Sequence, residues 1–150
     1  GLQFIDTQVR EQKRYYYLIA AQDGADNYSD FSDTVNFSLL RGIELEMMMP
    51  NGVSDTLGNQ KLLSWYYDYH IEMENYCITI LDGNNELLVR SVFSPTAYIV
   101  EREYWEIPDS IYLISGQIYY WRIDADADYQ GFHETSAAES QWASFLYKGS

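Results

Sequence analysis

The sequence predicts an all-β protein built as an antiparallel β-sandwich, and three observations support this. Aromatic residues make up 17% of the 150 residues, 15 of them Tyr, and aromatic residues are enriched in strands. Apolar and polar side chains alternate in several short runs. Turn-forming pairs such as Asp-Gly and Asn-Gly separate these runs. Many short alternating segments between turn signals are typical of a sandwich.

Three runs alternate clearly enough to be assigned as strands from their own residues. They cover residues 35–39, 76–80 and 119–125. Within the last run, Tyr119, Trp121, Ile123 and Ala125 fall on one face of a strand. Residues 134–143 are ambiguous, since their pattern fits a short helix and also a loop that enters a last strand.

An internal repeat predicts the domain organisation. Residues 15–21 read Tyr-Tyr-Tyr-Leu-Ile-Ala-Ala, and residues 119–125, which follow 104 residues later, read Tyr-Tyr-Trp-Arg-Ile-Asp-Ala. Each copy is followed by a polar turn and one more predicted strand. A repeat of about 100 residues matches the size of a small sandwich domain. We therefore expect a complete sandwich over 43–150, preceded over 1–42 by the last three strands of another one.

Charge and composition exclude several classes of partner. The chain has 9 Lys+Arg and 23 Asp+Glu, a net charge of -14, which disfavours binding to nucleic acid and to anionic lipid. One Cys excludes an internal disulfide framework and a Cys-based zinc cluster. No apolar run approaches the ~18 residues of a membrane span. The chain starts at Gly1 without a recognisable leader, so we expect a processed, tagged or partial chain. The sequence itself does not assign the cellular compartment.

One motif resembles a known family. The run Leu113-x-x-Gly116-x-x-Tyr119-x-Trp121-Arg122-Ile123 is similar to the turn into strand F of fibronectin type III-like (immunoglobulin-like) modules of bacterial extracellular proteins. The resemblance implies a tyrosine corner, in which the hydroxyl of Tyr119 bonds back to the chain near Leu113. It also implies further strands at Leu63–Trp65, Tyr76–Asp82, Leu87–Phe93, Ala97–Val100 and Ser140–Tyr147.

The same resemblance implies strands near 3–9, 13–22 and 33–40 in the first copy. The segment Glu101–Ser110 departs from the family pattern, because it is longer than the usual link between strands E and F. The resemblance implies a secreted or cell-surface location and a non-catalytic function as a spacer, display or adhesion module. The residues expected to build the core are Trp65, Ile78, Ile80, Tyr119, Trp121 and Ile123.

A set of aromatic residues is the strongest candidate for a binding site. Aromatic rings at the rim of a domain can stack on sugars or anchor a protein partner. A carbohydrate- or protein-binding module is therefore the alternative function, and the set can instead pack under long loops. Its members are Tyr66, Tyr67, Tyr69, Tyr104 and Trp105.

Carboxylates suggest two weaker metal sites, and we predict no resident metal or other cofactor. Asp126, Asp128 and Glu134 could bind Ca²⁺ in a loop, although the spacing does not fit an EF-hand and a solvated strand face is favoured. The segment His70-x-Glu72-x-Glu74 defines no metal geometry, so an exposed loop is the default.

Catalysis is not expected. The sequence has neither a glycine-rich phosphate loop nor a Gly-x-Ser-x-Gly elbow. Glu101 and Glu103 could act as a glycosidase pair, but a small sandwich leaves little room for the cleft that such chemistry needs. We therefore predict a protein that is not an enzyme.

The predicted half-sandwich requires a cover. Its strands would leave seven core positions exposed to water, and the folded state would lose on the order of 10 kcal/mol of hydrophobic stabilisation. We expect complementing strands from the same parent chain, a neighbouring protomer or a protein partner. Strand exchange through residues 1–42 would make the chain a subunit of a filament or sheath. The alternative is that 1–42 adds strands to the second domain. The positions are Tyr15, Tyr17, Ile19, Ala21, Val35, Phe37 and Leu39.

Overall fold

A computed structural model describes residues 3–67, 73–95, 102–128 and 135–149. These residues form strands and one 3₁₀ turn at Leu45–Met47, and no α-helix is present among them. The strands are β1 (Lys13–Tyr17), β2 (Val35–Leu39), β3 (Met48–Met49), β4 (Thr56–Leu57), β5 (Leu62–Trp65), β6 (Met73–Leu81), β7 (Leu87–Phe93), β8 (Glu103–Glu106), β9 (Ile118–Asp128), β10 (Thr135–Glu139) and β11 (Ala143–Tyr147).

The strands form two sheets, which confirms the prediction of an all-β protein with a sandwich-like arrangement. The larger sheet has the order β1-β2-β10-β9-β11-β4, and β6 pairs with β9 and with β7. The smaller sheet has the order β3-β5-β8 and is antiparallel. In the part of the chain that is described, no helix is long and apolar enough to cross a membrane.

β9 organises the larger sheet. Its first half pairs with β11, where Tyr119 lies opposite Phe145, and its second half pairs with β10, where Ala125 lies opposite Ala138. Its other edge pairs with β6. Ser140 bridges the break between β10 and β11, because its hydroxyl accepts a 2.9 Å hydrogen bond from the backbone N–H of Ile123. β10 and β11 thus follow each other along one edge of β9.

The core lies between the two sheets and is rich in aromatic rings. All six residues expected to build it are buried, as predicted. The ring of Trp65 lies 5.2 Å from Tyr76 and 6.3 Å from Trp121, measured between centroids. The indole N–H of Trp121 donates a 2.9 Å hydrogen bond to the carbonyl of Pro50. The indole is therefore buried with its polar atom satisfied.

The hydroxyl of Tyr119 closes the turn that leads into β9. It accepts a 2.8 Å hydrogen bond from the backbone N–H of Ile114, next to Leu113. The turn itself is reached through Gly116, whose φ of +85° is readily adopted by glycine. The predicted bond between the Tyr119 hydroxyl and the chain near Leu113 is confirmed.

Two local predictions were wrong, and one ambiguous segment is resolved. The segment Glu101–Ser110 is more than a link, because it contains β8, which pairs with β5. Residues 3–9 form no strand, and a side-chain contact links them to β1, because the hydroxyl of Tyr17 donates a 3.2 Å hydrogen bond to Asp6. Of the ambiguous segment 134–143, residues 135–139 form β10, because their backbone pairs with β9, and the residues after Ser140 form the expected loop into the last strand, β11. The strand expected at Ala97–Val100 lies outside the described residues.

β1 and β2 form an antiparallel hairpin that joins the larger sheet along β10. The contact consists of the parallel pairs Ser38–Ser136 and Leu39–Ala137. The chain then continues beside the sandwich, and the buried Ile43 forms a parallel bridge with Ser140. The chain between hairpin and sandwich is therefore held against the sheet edge.

Gly42 permits this close approach, which makes it a test of the junction. A Cβ at Gly42 would lie 2.9 Å from the carbonyl oxygen of Glu139, which accepts a hydrogen bond from the N–H of Ile43. We expect Gly42→Ala to lower the free energy of unfolding by about 1 kcal/mol, roughly one lost hydrogen bond. Urea denaturation of the 150-residue chain measures this.

Gly24→Ala is the matched control, because no heavy atom lies within 4 Å of the Cβ it would add. Its stability should stay within about 0.5 kcal/mol of the original chain. Equal stability of the two variants would show that the close approach at Gly42 does not constrain the fold.

Candidate functional site

Two members of the predicted aromatic set share the outer face of the smaller sheet. Tyr104 lies opposite Ser64 in the β5–β8 pairing and is 54% exposed. Tyr66 follows β5, and the guanidinium of Arg102 lies 5.3 Å from the centroid of its ring. The same guanidinium donates a 3.1 Å hydrogen bond to the hydroxyl of Ser64. The outer face therefore carries two tyrosines and an oriented cation.

Two other members of the set are directed away from this face. Tyr67 is buried, and its hydroxyl donates a 2.9 Å hydrogen bond to the carbonyl of Arg41. Trp105 lies opposite the buried Leu63 and packs half-buried against the core. The fifth member, Tyr69, lies outside the described residues.

The exposed face contains residues that sequence reasoning did not include. Arg102 contacts Tyr66 and Ser64 on this face, and the exposed side chains of Met49 and Leu62 lie on the same sheet. Alternation gave a signal for Arg102, because it precedes Tyr104 by two residues. We call Tyr66, Arg102 and Tyr104 the outer aromatic face.

The acidic side chains of β9 interact mainly with neighbouring polar groups. Asp124 accepts a 3.0 Å hydrogen bond from the guanidinium of Arg122, which also lies 5.3 Å from the ring centroid of Trp142. Burial raises the pKa of Asp124, and the charge of Arg122 opposes this rise. Asp126 accepts a 3.5 Å hydrogen bond from the side-chain amide of Asn75.

The calcium candidate can be followed only in part. Asp126 lies on β9, whereas the side chain of Asp128 and the whole of Glu134 lie outside what is described. Among the described residues, no group of three His, Cys, Asp or Glu is placed to hold a metal ion. His70 and Glu72 of the second candidate also lie outside this part, and Glu74 is exposed.

An open groove of about 840 Å³ lies where the hairpin meets the sandwich. Its lining is dominated by carboxylates, and Arg41 forms a 2.8 Å ion pair with Glu44 there. Such a groove disfavours anionic ligands. The acidic residues that line it are Glu11, Glu44, Glu46 and Glu139.

The carboxylates considered for glycosidase chemistry are not both described. Glu101 lies outside the described residues, and Glu103 is buried on the core side of β8, opposite Trp65. Burial raises the pKa of Tyr76 to about 12, and the charge of Glu103 adds to the rise. Glu103 therefore acts on the electrostatics of the core rather than facing an open cleft.

Comparison with known proteins gives little further information. No protein-family model matches the chain, and no curated protein sequence matches it. Among solved structures, it is similar to CopC from Methylosinus trichosporium OB3b, with 17% sequence identity and a TM-score of 0.45. The match covers 63% of this chain and 83% of that chain. A likeness this weak carries no argument about function.

The buried hydroxyl of Tyr76 predicts a loss of stability at high pH. Its pKa is raised from 10.0 to about 12 in the folded protein, so the unfolded chain loses this proton first as the pH rises. The stabilisation is fully present below pH 10 and is lost progressively towards pH 12. We expect Tyr76→Phe to lose less stability over this interval than the original chain.

Thermal unfolding at several pH values between 9 and 12 measures this difference. Tyr112→Phe is the control, because Tyr112 is 82% exposed and its replacement should leave the pH profile unchanged. Parallel profiles for the original chain and Tyr76→Phe would show that burial of this hydroxyl is not coupled to folding.

Proposed function

We propose that the chain is a fibronectin type III-like, non-catalytic module of a secreted or cell-surface protein, and that it spaces or displays the segments attached to it. The strand arrangement supports the type. β3, β5 and β8 face a sheet in which β7, β6, β9 and the β10–β11 edge are neighbours. The corner hydrogen bond of Tyr119 is a further feature of such sandwiches.

The path of the chain through the sandwich is the observation that carries the spacer function. Ile43 bridges Ser140 in parallel, and Leu57 pairs in parallel with Tyr147. The chain therefore enters the sandwich beside Ser140, and β11, the last described strand, ends at Tyr147 at the other end of the same edge. At about 3.3 Å per residue, these points are roughly 20 Å apart. A module with this path adds its length to the parent chain.

The charge distribution supports the same function. Residues 43–150 carry 17 acidic and 5 basic residues, a net charge of -12, whereas 1–42 carry a net charge of -2. Surfaces of one sign repel one another and remain soluble. Neighbouring modules of this composition would therefore be held apart rather than collapse onto each other.

A spacer should resist extension and unfold as a unit, which single-molecule force spectroscopy of the 150-residue chain between two handles can test. Unfolding of residues 43–150 should give one force peak and a contour-length gain of roughly 35 nm, at about 3.5 Å per residue. Phe145→Asp is the control, because it places a charge in the buried core and should abolish the peak. Extension of the original chain without a peak would contradict the spacer function.

A second function, binding of carbohydrate or of a protein partner, is favoured by the outer aromatic face. Tyr104 is exposed beside a guanidinium that already stacks on Tyr66, so the polar atoms around the rings are oriented before a ligand arrives. Flat aromatic rings next to oriented donors suit stacking on a sugar ring. Because Trp105 packs against the core, it stabilises the strand that carries Tyr104 and does not contact the ligand.

A glycan array tests this second function. For any glycan that binds the original chain, we expect Tyr104→Ala to weaken the affinity by roughly tenfold, which corresponds to about 1.4 kcal/mol. Tyr112→Ala is the matched control, since it removes an exposed tyrosine from another part of the surface. An array without signal, or equal binding by both variants, would contradict sugar binding at this face.

A further inference from the structure

The hairpin of β1 and β2 repeats the corner of the complete sandwich. The backbone N–H of Arg10 donates a 2.7 Å hydrogen bond to the hydroxyl of Tyr15. In the sandwich, Ile114 donates a 2.8 Å hydrogen bond to the hydroxyl of Tyr119 in the same way. In both copies the donor precedes the tyrosine by five residues. The sequence repeat is therefore also a repeat of structure.

The backbone before each tyrosine is the same. Gln12 and Gly116, each three residues ahead of its tyrosine, have φ values of +59° and +85°. The N–H of Gln12 donates to the carbonyl of Leu39 at 2.6 Å, and that of Gly116 donates to the carbonyl of Tyr147 at 2.8 Å. A left-handed conformation at a non-glycine residue is uncommon, so its recurrence at Gln12 is informative.

The strand pairing also corresponds. Tyr15 lies opposite Phe37 in the hairpin, and Tyr119 lies opposite Phe145 in the sandwich. The hairpin therefore has the register of β9 and β11. In a sandwich these two strands are the last part of the domain, and their inward face is one half of a core.

The equivalent faces differ in how they are covered. Tyr119 is 2% exposed and Phe145 is fully buried beneath the smaller sheet. In the hairpin, Tyr15 and Phe37 are half-buried, and Val35 on the same face is 62% exposed. In the described part of the chain, the hairpin thus presents a core face without the sheet that covers its counterpart.

The core of the sandwich cannot supply this cover. Leu39 pairs with Ala137, which pairs with Asp126, so these three side chains lie on the outer face of the larger sheet. The adjacent Leu40 points the other way and is buried in the core. Tyr15 and Phe37 share the face of Leu39, and hence lie on the side of the sheet away from that core.

We propose that a three-stranded antiparallel sheet covers the face formed by Tyr15, Phe37 and Leu39, and that the parent polypeptide supplies it directly ahead of the hairpin. The sheet would resemble β3, β5 and β8, with an apolar inward side that carries a large aromatic ring in the position of Trp65. This inference rests on the proposed function, because it makes the hairpin the end of a preceding module of the same type.

The connection leading into the hairpin supports a source upstream in the same polypeptide. By the offset of the repeat, residues 3–10 correspond to 107–114, which connect β8 to β9 in the sandwich. Residues 3–10 already lie against the hairpin, because the hydroxyl of Tyr17 donates a 3.2 Å hydrogen bond to Asp6. The strand before this connection would therefore emerge at the edge of the open face.

A second copy of the chain is the less suitable occupant. Its three-stranded sheet is already used, since Leu63, Trp65 and Met48 of that sheet are fully buried in their own core. Among its described residues, a second copy has no unused sheet of this kind to offer. Covering by a second copy would require the two open hairpin faces to pack on each other.

Grafting the missing sheet tests the proposal. A copy of residues 43–106 is placed directly before Gln3 of the otherwise intact chain, because Gln3 corresponds to Ile107. We expect a severalfold fall in the fluorescence of a bound hydrophobic dye and slower hydrogen exchange at the amides of β1 and β2. Dye fluorescence at or above that of the original chain, with unchanged exchange, would overturn the proposal.

Two variants at equivalent positions give a second test in the original chain. Phe37→Asp should leave the unfolding of 43–150 unchanged and lower dye binding severalfold, whereas Phe145→Asp should unfold the sandwich. Light scattering should give a monomer. A dimer that Phe37→Asp dissociates would assign the face to a second copy and overturn the proposal. Force spectroscopy of the 150-residue chain tests the spacer function through the unfolding peak of 43–150, which does not depend on a cover over the hairpin, so the failure of one idea can be told from the failure of the other.

Discussion

The pairing of β9 with three other strands is the constraint on which the sandwich depends. Its inward side chains meet the smaller sheet, and its edges hold β6 on one side and β10 and β11 on the other. The hydroxyl of Tyr119 fixes where this strand begins, because it holds the preceding turn to the chain through Ile114. A shift of β9 by one residue would turn Trp121 outward and remove it from the core.

The strands whose inward-facing residues are apolar were predicted well from the sequence. Tyr119, Trp121 and Ile123 alternate with polar residues, and the structure buries all three. β8 was missed because Glu103 occupies an inward position next to Trp65, so the alternation is broken by a charge. β10 was missed because its residues are small and polar, and its pairing with β9 depends on backbone groups that leave no sequence pattern.

The candidate site could be predicted only in part, for a geometrical reason. Adjacent residues of an extended chain point to opposite faces, so Tyr66 and Tyr67 cannot belong to one surface. Tyr66 joins Tyr104 outside, and Tyr67 is buried. Arg102 was absent from the set because a search for aromatic residues does not include the cation that lies over the ring of Tyr66. Composition thus indicated the surface, whereas strand geometry decided its members.

The two tyrosine corners occupy equivalent places in the chain, one at β1 and one at β9. In the complete sandwich, β3, β5 and β8 come before the corner in sequence and cover the strands that follow it. If each module is completed from upstream strands, its last strand leads directly into the next module through a short junction. Gly42 suits this position, because the carbonyl of Glu139 approaches too closely for a side chain. In that case the close approach would fix the direction of one module relative to the next, as the proposed spacer function requires.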